Sequence, residues 1–232
     1  MRIILDTANL KDIEYFNTYY PIEGVTTNPT ILSREGGDVV EQLINIRKLI
    51  GNEKELHVQT IETEYDRLIA ESLAIVDLLG ENTIVKIPIT DVALRATKYL
   101  SERGIRVTIT AVLTAAQAML ASNAGATYVA PYISRSENLC ADGVGTVSDI
   151  AKIFSVAGSK TQILAASFKT AKEVLDVAVE GCHAATIGSD IMRMLISHTT
   201  TDTSIAGFAR DWIKTFGAES LLEKIEKYKV KE

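Results

Sequence analysis

The chain has 232 residues, 47% of them hydrophobic, enough to bury a large core either as one α/β barrel or as two small domains. A net charge of −6, from 24 Lys and Arg against 30 Asp and Glu, excludes the basic face that a nucleic acid or a membrane surface calls for, so a small-molecule ligand is expected. Cys140 and Cys182 lie far apart outside any metal or redox spacing, and the chain opens on a strand-like Arg2-Ile3-Ile4-Leu5; both features predict a cytoplasmic protein with free thiols, no secretion signal and no membrane span.

Short apolar or β-branched runs alternate with longer helix-like segments along the whole chain. Strands are predicted over Ile3 to Asp6, Gly24 to Thr27, Leu56 to Thr60, Thr83 to Ile87, Arg106 to Ala111, Thr127 to Pro131, Gln162 to Ser167 and Ala184 to Gly188. Between them, Tyr65 to Leu79, Val92 to Arg103, Thr114 to Asn123 and Ala171 to Glu180 carry apolar residues at three- and four-residue spacing. Gly80, Gly104, Gly125 and Gly181 stand where those helices should stop. Eight strands each followed by a helix predict a (β/α)8 TIM barrel rather than an open doubly wound sheet, whose Gly-x-Gly-x-x-Gly pattern is missing after the first strand. No Pro/Gly/Ser-rich linker interrupts the sequence, so residues 1–232 are expected to form a single domain, with 204–232 as a C-terminal helical extension.

The run Thr83-Ile84-Val85-Lys86-Ile87-Pro88 places one lysine inside an apolar strand. Desolvation disfavours an ammonium and favours the neutral amine, the form that attacks carbonyls and makes Schiff bases. The plainer alternative is a lysine that snorkels to the sheet end or pairs with a carboxylate. A barrel collects its chemistry at the C-terminal ends of its strands, and polar residues recur there: Asp6, then Thr26 and Asn28, Gln59, Lys86, Thr110, Tyr132 and Arg135, and Ser167 and Lys169. Each has an ordinary explanation, since Asp6 or Thr7 could cap a helix starting near Asn9, Asn28-Pro29 could be a turn and Ser167 could cap the next helix. Their recurrence at one rim on seven consecutive strands is what argues for a site.

Several segments also resemble a known family. Leu5-Asp6-Thr7-Ala8-Asn9, Gly24-Val25-Thr26-Thr27-Asn28-Pro29-Thr30, Val85-Lys86-Ile87-Pro88, Gly125-Ala126-Thr127-Tyr128-Val129-Ala130-Pro131-Tyr132 and Ala165-Ala166-Ser167-Phe168-Lys169 are similar to the signature segments of the small transaldolase-like aldolases. That group contains the short transaldolases and the fructose 6-phosphate aldolases. The resemblance implies that Lys86 is the Schiff-base lysine. It also implies that Tyr132 and Gln59, with a water they hold, move protons, and that Asp6 contacts donor hydroxyls and assists. Thr26, Asn28 and Thr110 would complete the ligand contacts, and Arg135, Ser167 and Lys169 would meet the phosphate.

Within the group, transaldolases usually carry glutamate at the end of strand three and phenylalanine after strand six, where this chain has Gln59 and Tyr132 as the fructose 6-phosphate aldolases do. A phenol can donate and accept a proton and a phenyl ring cannot. The resemblance therefore implies reversible cleavage of fructose 6-phosphate to dihydroxyacetone and glyceraldehyde 3-phosphate. Transfer of the dihydroxyacetone unit between sugar phosphates is the alternative, and a non-catalytic sugar-phosphate-binding barrel is a further one. Thr108 and Ala130 stand where transaldolases often have asparagine and serine.

No cofactor or metal is expected. His57, His183 and His198 are scattered without a ligand-spaced pair, which speaks against a metal-dependent aldolase, and His57 shares the strand parity of Gln59, which predicts a core histidine. Beyond the eighth unit, Phe208 and Trp212 lie four residues apart, and Glu219 to Glu232 places Leu221, Leu222, Ile225 and Tyr228 on one helical stripe. The related aldolases use such a terminal helix against a neighbouring subunit, so the resemblance implies a homo-oligomer, a decamer of two pentameric rings.

Overall fold

The computed structural model describes residues 1–230; Lys231 and Glu232, the end of the predicted terminal helix, lie outside the described residues. The first half runs β1 (Arg2–Asp6), α1 (Leu10–Tyr19), β2 (Gly24–Thr26), α2 (Pro29–Glu35), α3 (Val39–Ile50), β3 (Glu55–Gln59), α4 (Tyr65–Leu79) and β4 (Thr83–Pro88). It continues through α5 (Asp91–Ser101), β5 (Val107–Val112), α6 (Ala115–Asn123), β6 (Tyr128–Pro131), α7 (Ile133–Asn138), α8 (Gly143–Ala157), β7 (Gln162–Ala165), α9 (Ala171–Val179) and β8 (Ala184–Ile187). Three helices follow, α10 (Ser189–Ile196), α11 (Thr199–Phe216) and α12 (Leu221–Lys229). The strands form a closed parallel barrel in sequence order, β8 pairing back onto β1. This is the predicted (β/α)8 architecture.

The barrel forms because both faces of each strand are buried, the inner by the opposite strands and the outer by helices, so a short run such as Ile163 to Ala165 has no polar face to show. Leu5, Val25, Val58, Val85 and Ile109 are buried, and so are Phe16 of α1, Ile46 of α3, Leu68 of α4 and Leu100 of α5. Each such side chain contributes roughly 1.5–3 kcal/mol. The four predicted stop glycines all sit past helix ends in a left-handed conformation, at φ 88, 76, 91 and 90° for Gly80, Gly104, Gly125 and Gly181. Gly24 is required for a different reason, because a Cβ there would meet the Glu55 carbonyl oxygen at 2.2 Å and force β2 away from β3.

The N-terminal floor of the barrel is polar. Glu55, at the start of β3, accepts from the Tyr128 hydroxyl at 3.0 and 2.9 Å and from Arg106 at 3.0 Å, and Arg2 donates to Tyr128 and Gln162. His57 is fully buried above it, its Nε2 3.4 Å from the Glu55 carboxylate and its Nδ1 2.9 Å from the Thr108 hydroxyl. A carboxylate can only accept, so Nε2 carries the proton and Nδ1 accepts from Thr108. The core role expected for His57 matches its burial.

Burial works against the Glu55 charge, and the His57 and Tyr128 hydrogen bonds with the Arg2 charge outweigh it, holding the carboxyl at about 2. Burial depresses His57 below 6.5, with Glu55 opposing and the Lys86 and Arg106 charges adding. In both cases the unfolded chain binds the proton more readily, so acid favours unfolding. Stability is expected to decline as the pH falls below 6.5, where the unfolded histidine takes its proton, and to drop most steeply between 4.5 and about 2 as Glu55 is titrated. Melting curves across that range, repeated on Glu55→Gln, check this; a lower limb identical in the variant contradicts it.

From Arg193 onward the chain forms a second compact unit. The helical stripe predicted from Glu219 onward falls on α12, which Gly217 (φ 81°) separates from α11, and the Ser220 hydroxyl and Glu223 carboxylate close a reciprocal capping box at its start. Neither helix contains a buried residue. No helix among the described residues is long and apolar enough to cross a membrane.

Candidate active site

The inner face of the barrel can be followed strand by strand. Ile4, Ile84, Tyr128, Ala130, Leu164, Ala166 and Ala184 form the interior core, with Tyr132 packed against it. Side chains two residues further on share that face, which turns Asp6, Lys86 and Thr186 inward at the C-terminal rim. The hydrogen bond from the Thr108 hydroxyl to His57 Nδ1 fixes β3 and β5 in the same way, so Gln59 and Thr110 face inward one layer above them.

Lys86 is 4% exposed and makes no ion pair with any other described residue. Its Nζ donates to the Thr27 carbonyl oxygen at 3.3 Å. Neither ordinary explanation for this lysine applies, since it neither snorkels out nor meets a carboxylate. Gln59 is its register partner on β3 and Thr108 its register partner on β5.

Two polar groupings flank it. On one side the Thr26 hydroxyl donates to Asp6 Oδ1 at 2.6 Å and lies 2.5 Å from the Thr186 hydroxyl. On the other, the Thr110 hydroxyl donates to the Tyr132 phenol oxygen at 3.4 Å, leaving the phenol's own proton free to be donated. Strand five does not end at Ala111 as predicted: it runs on to Val112 through a register shift, with Ala111 in the left-handed region at φ 58°. Ser167 also has a positive φ, 65°. A non-glycine residue held there costs of order 1–3 kcal/mol, and such strain clusters at functional sites.

The capping alternatives resolve residue by residue. Asn9 caps α1 with its own side chain, which frees Asp6. Thr170 caps α9, which frees Ser167. Asn28 does cap α2, accepting from the Ile31 N–H at 3.0 Å with Pro29 in the first turn, and its amide nitrogen remains available to a ligand.

The residues expected to meet a phosphate are less tightly gathered. Arg135 is exposed and its guanidinium carbon lies 4.5 Å from the Tyr132 ring centroid. The Ser167 carbonyl accepts from the Ser134 N–H at 3.0 Å, which brings the turn after β7 beside α7. Lys169 is exposed, and its backbone N–H donates to Glu173 while its ammonium joins none of the other candidates. Thr186, on strand eight, is not among the rim residues that the sequence predicts. In the fully buried run Ala184 to Ile187 a threonine shows no period that would single it out. Among the described residues no cluster of three potential metal ligands occurs.

A buried lysine beside hydroxyls, a carboxylate and a phenol can activate a carbonyl and move protons around it. The sequence profile of the family described as Transaldolase/Fructose-6-phosphate aldolase matches residues 3–232. A "Probable transaldolase" of Brevibacillus brevis is 38% identical over 212 residues, covering 91% of this chain and 98% of that protein. A "Probable transaldolase" of Bacillus cereus is 37% identical, covering 93% and 99%. A "Probable fructose-6-phosphate aldolase" of Streptococcus pneumoniae is 35% identical, covering 95% and 100%. A solved structure described as "Native KDPGal structure" superposes with a TM-score of 0.57 at 14% identity, over 81% of this chain and 82% of the other, a likeness of fold.

Proposed function

The chain belongs to the transaldolase/fructose-6-phosphate aldolase family of Schiff-base-forming class I aldolases and transaldolases, and within it we propose that this enzyme cleaves fructose 6-phosphate reversibly to dihydroxyacetone and glyceraldehyde 3-phosphate. The observation that carries the cleavage reading is the pairing of Thr110 with the Tyr132 phenol at the inner rim, which supplies a proton donor where a phenyl ring would supply none.

Lys86 adds to the ketone carbon, and loss of water gives a protonated imine that draws electrons from the adjoining bond. A base takes the proton of the hydroxyl beyond the scissile bond, the carbon–carbon pair moves toward the imine nitrogen, and the aldehyde phosphate leaves. The enamine left on Lys86 takes a proton at carbon, delivered by Tyr132 or a water held between it and Gln59, and hydrolysis returns the free amine. Asp6, held by the Thr26 hydroxyl, contacts the donor hydroxyls and assists, with Asn28 and Thr110 completing the ligand contacts. Arg135, Ser167 and Lys169 meet the phosphate, the arginine suited to two-point binding of a dianion. No step needs a metal or cofactor. Free Cys140 and Cys182 fit a cytoplasmic setting.

Transfer of the dihydroxyacetone unit to a second sugar phosphate is the second reading, favoured by the names of the relatives, most of which are called transaldolases. An assay of fructose 6-phosphate with and without erythrose 4-phosphate separates the two. Dihydroxyacetone release without acceptor is expected; turnover only with acceptor overturns the cleavage reading in favour of transfer.

The same reading includes self-assembly. Helices α11 and α12 leave Phe208, Phe216, Leu222 and Tyr228 exposed, apolar surface of the kind that marks an interaction site. A homo-oligomer of paired pentameric rings would cover it, and light scattering of the whole chain should give a decamer. A monomer contradicts this.

A further inference from the structure

We propose that Thr186 is a positioning residue, fixing the Asp6 carboxylate through the hydroxyl of Thr26. The inference rests on the role proposed for Asp6 and extends it to strand eight, where neither the sequence pattern nor the family resemblance marks a residue.

Three side chains on three neighbouring strands form one line. Thr186 of β8 is 3% exposed and Thr26 of β2 is fully buried, while Asp6 of β1 is partly open at the rim. The Thr186 and Thr26 hydroxyl oxygens lie 2.5 Å apart, and Thr26 Oγ1 lies 2.6 Å from Asp6 Oδ1. A hydroxyl has one proton. Thr26 gives its proton to the carboxylate, so the contact with Thr186 exists only if Thr186 donates. The direction is therefore settled: Thr186 donates to Thr26, and Thr26 donates to Asp6.

The consequence is mechanical. A threonine hydroxyl is otherwise free to rotate, and back-bonding to a carbonyl of its own strand region is its usual alternative. With its acceptor side occupied by Thr186, the Thr26 hydroxyl is held pointing at Asp6 Oδ1. Among the described residues that oxygen has no other partner and Oδ2 has none, so Oδ2 is left for the ligand. Both threonines are β-branched residues on strands with few alternative χ1 settings, so the line is built from stiff parts. Small misplacement of a catalytic group costs rate more than binding, because orientation is lost in the transition state.

The test uses Thr186→Val, which keeps shape and β-branching and removes the donor, and Thr186→Ser, which keeps the donor. In the valine variant kcat for fructose 6-phosphate should fall about tenfold, the loss of one hydrogen bond's worth of orientation, with KM within about twofold of the parent. The serine variant should recover most of that rate. Borohydride trapping of dihydroxyacetone should still occur in both, since Lys86 is not part of the line. Thr186→Ala gives a second donor-free variant should valine fold poorly, and the same loss is expected of it. Unchanged kcat in a folded donor-free variant, or a serine variant as slow as valine, overturns the proposal and leaves the cleavage reading intact. A parent chain that neither traps nor turns over overturns that reading itself, and the proposal with it.

Discussion

Replacing Lys86 by methionine is expected to lower turnover of fructose 6-phosphate by at least about 10³-fold while leaving the barrel as stable or more stable. The loss follows because, among the described residues, Lys86 is the only lysine on a barrel strand. Asp6, Gln59, Thr110 and Tyr132 can move protons, and none of them can form an imine. The gain follows from the site. Lys86 is buried with one carbonyl contact at 3.3 Å and no carboxylate, so its head group is poorly compensated for the water it loses. Methionine is unbranched, fills the same space and brings no polar group. Each kcal/mol recovered should raise the melting temperature by roughly 2–4 °C in a chain of this size. Steady-state assays and a melting curve on the same preparation check both halves. Loss of activity together with loss of folding would mean that the lysine is structural.

Tyr132→Phe is expected to cut cleavage of fructose 6-phosphate about 10²-fold while leaving transfer to erythrose 4-phosphate within a few-fold of the parent. Cleavage ends with protonation of the enamine, and transfer ends with its capture by an aldehyde, so only the first consumes a proton at carbon. Phenylalanine keeps the ring that packs against the interior core and lies beneath Arg135, and removes only the hydroxyl that Thr110 faces. The 3.4 Å contact is long for an O–H···O bond, so its loss should cost little stability. The measurement is the ratio of dihydroxyacetone released to product transferred, in parent and variant. An unchanged ratio removes the role given to this phenol.

The sequence shows the barrel because its strands are short buried runs, and its helices stop at glycines whose positive φ the structure bears out. Lys86 is legible for the opposite reason: one charge in an otherwise apolar strand violates the local pattern. The rim could be assembled because strand ends are the places where a barrel exposes polar side chains. What sequence could not show is which hydroxyls bond to one another. Thr26, Thr108, Thr110 and Thr186 look alike in the chain, and pairing across strands sorts them: Thr26 and Thr186 with Asp6, Thr108 with His57, Thr110 with Tyr132. The floor was equally hidden. Arg2, Glu55, Tyr128 and Gln162 are distant in sequence and meet only when the barrel closes.

The claim that Lys86 is the nucleophile is tested most directly by incubating the whole chain with dihydroxyacetone and borohydride and mapping the adduct by peptide mass spectrometry. A reduced dihydroxyacetone unit on the peptide carrying Lys86, absent from Lys86→Met, is the predicted result. An unmodified Lys86, or an adduct on another lysine that persists in the methionine variant, would contradict it.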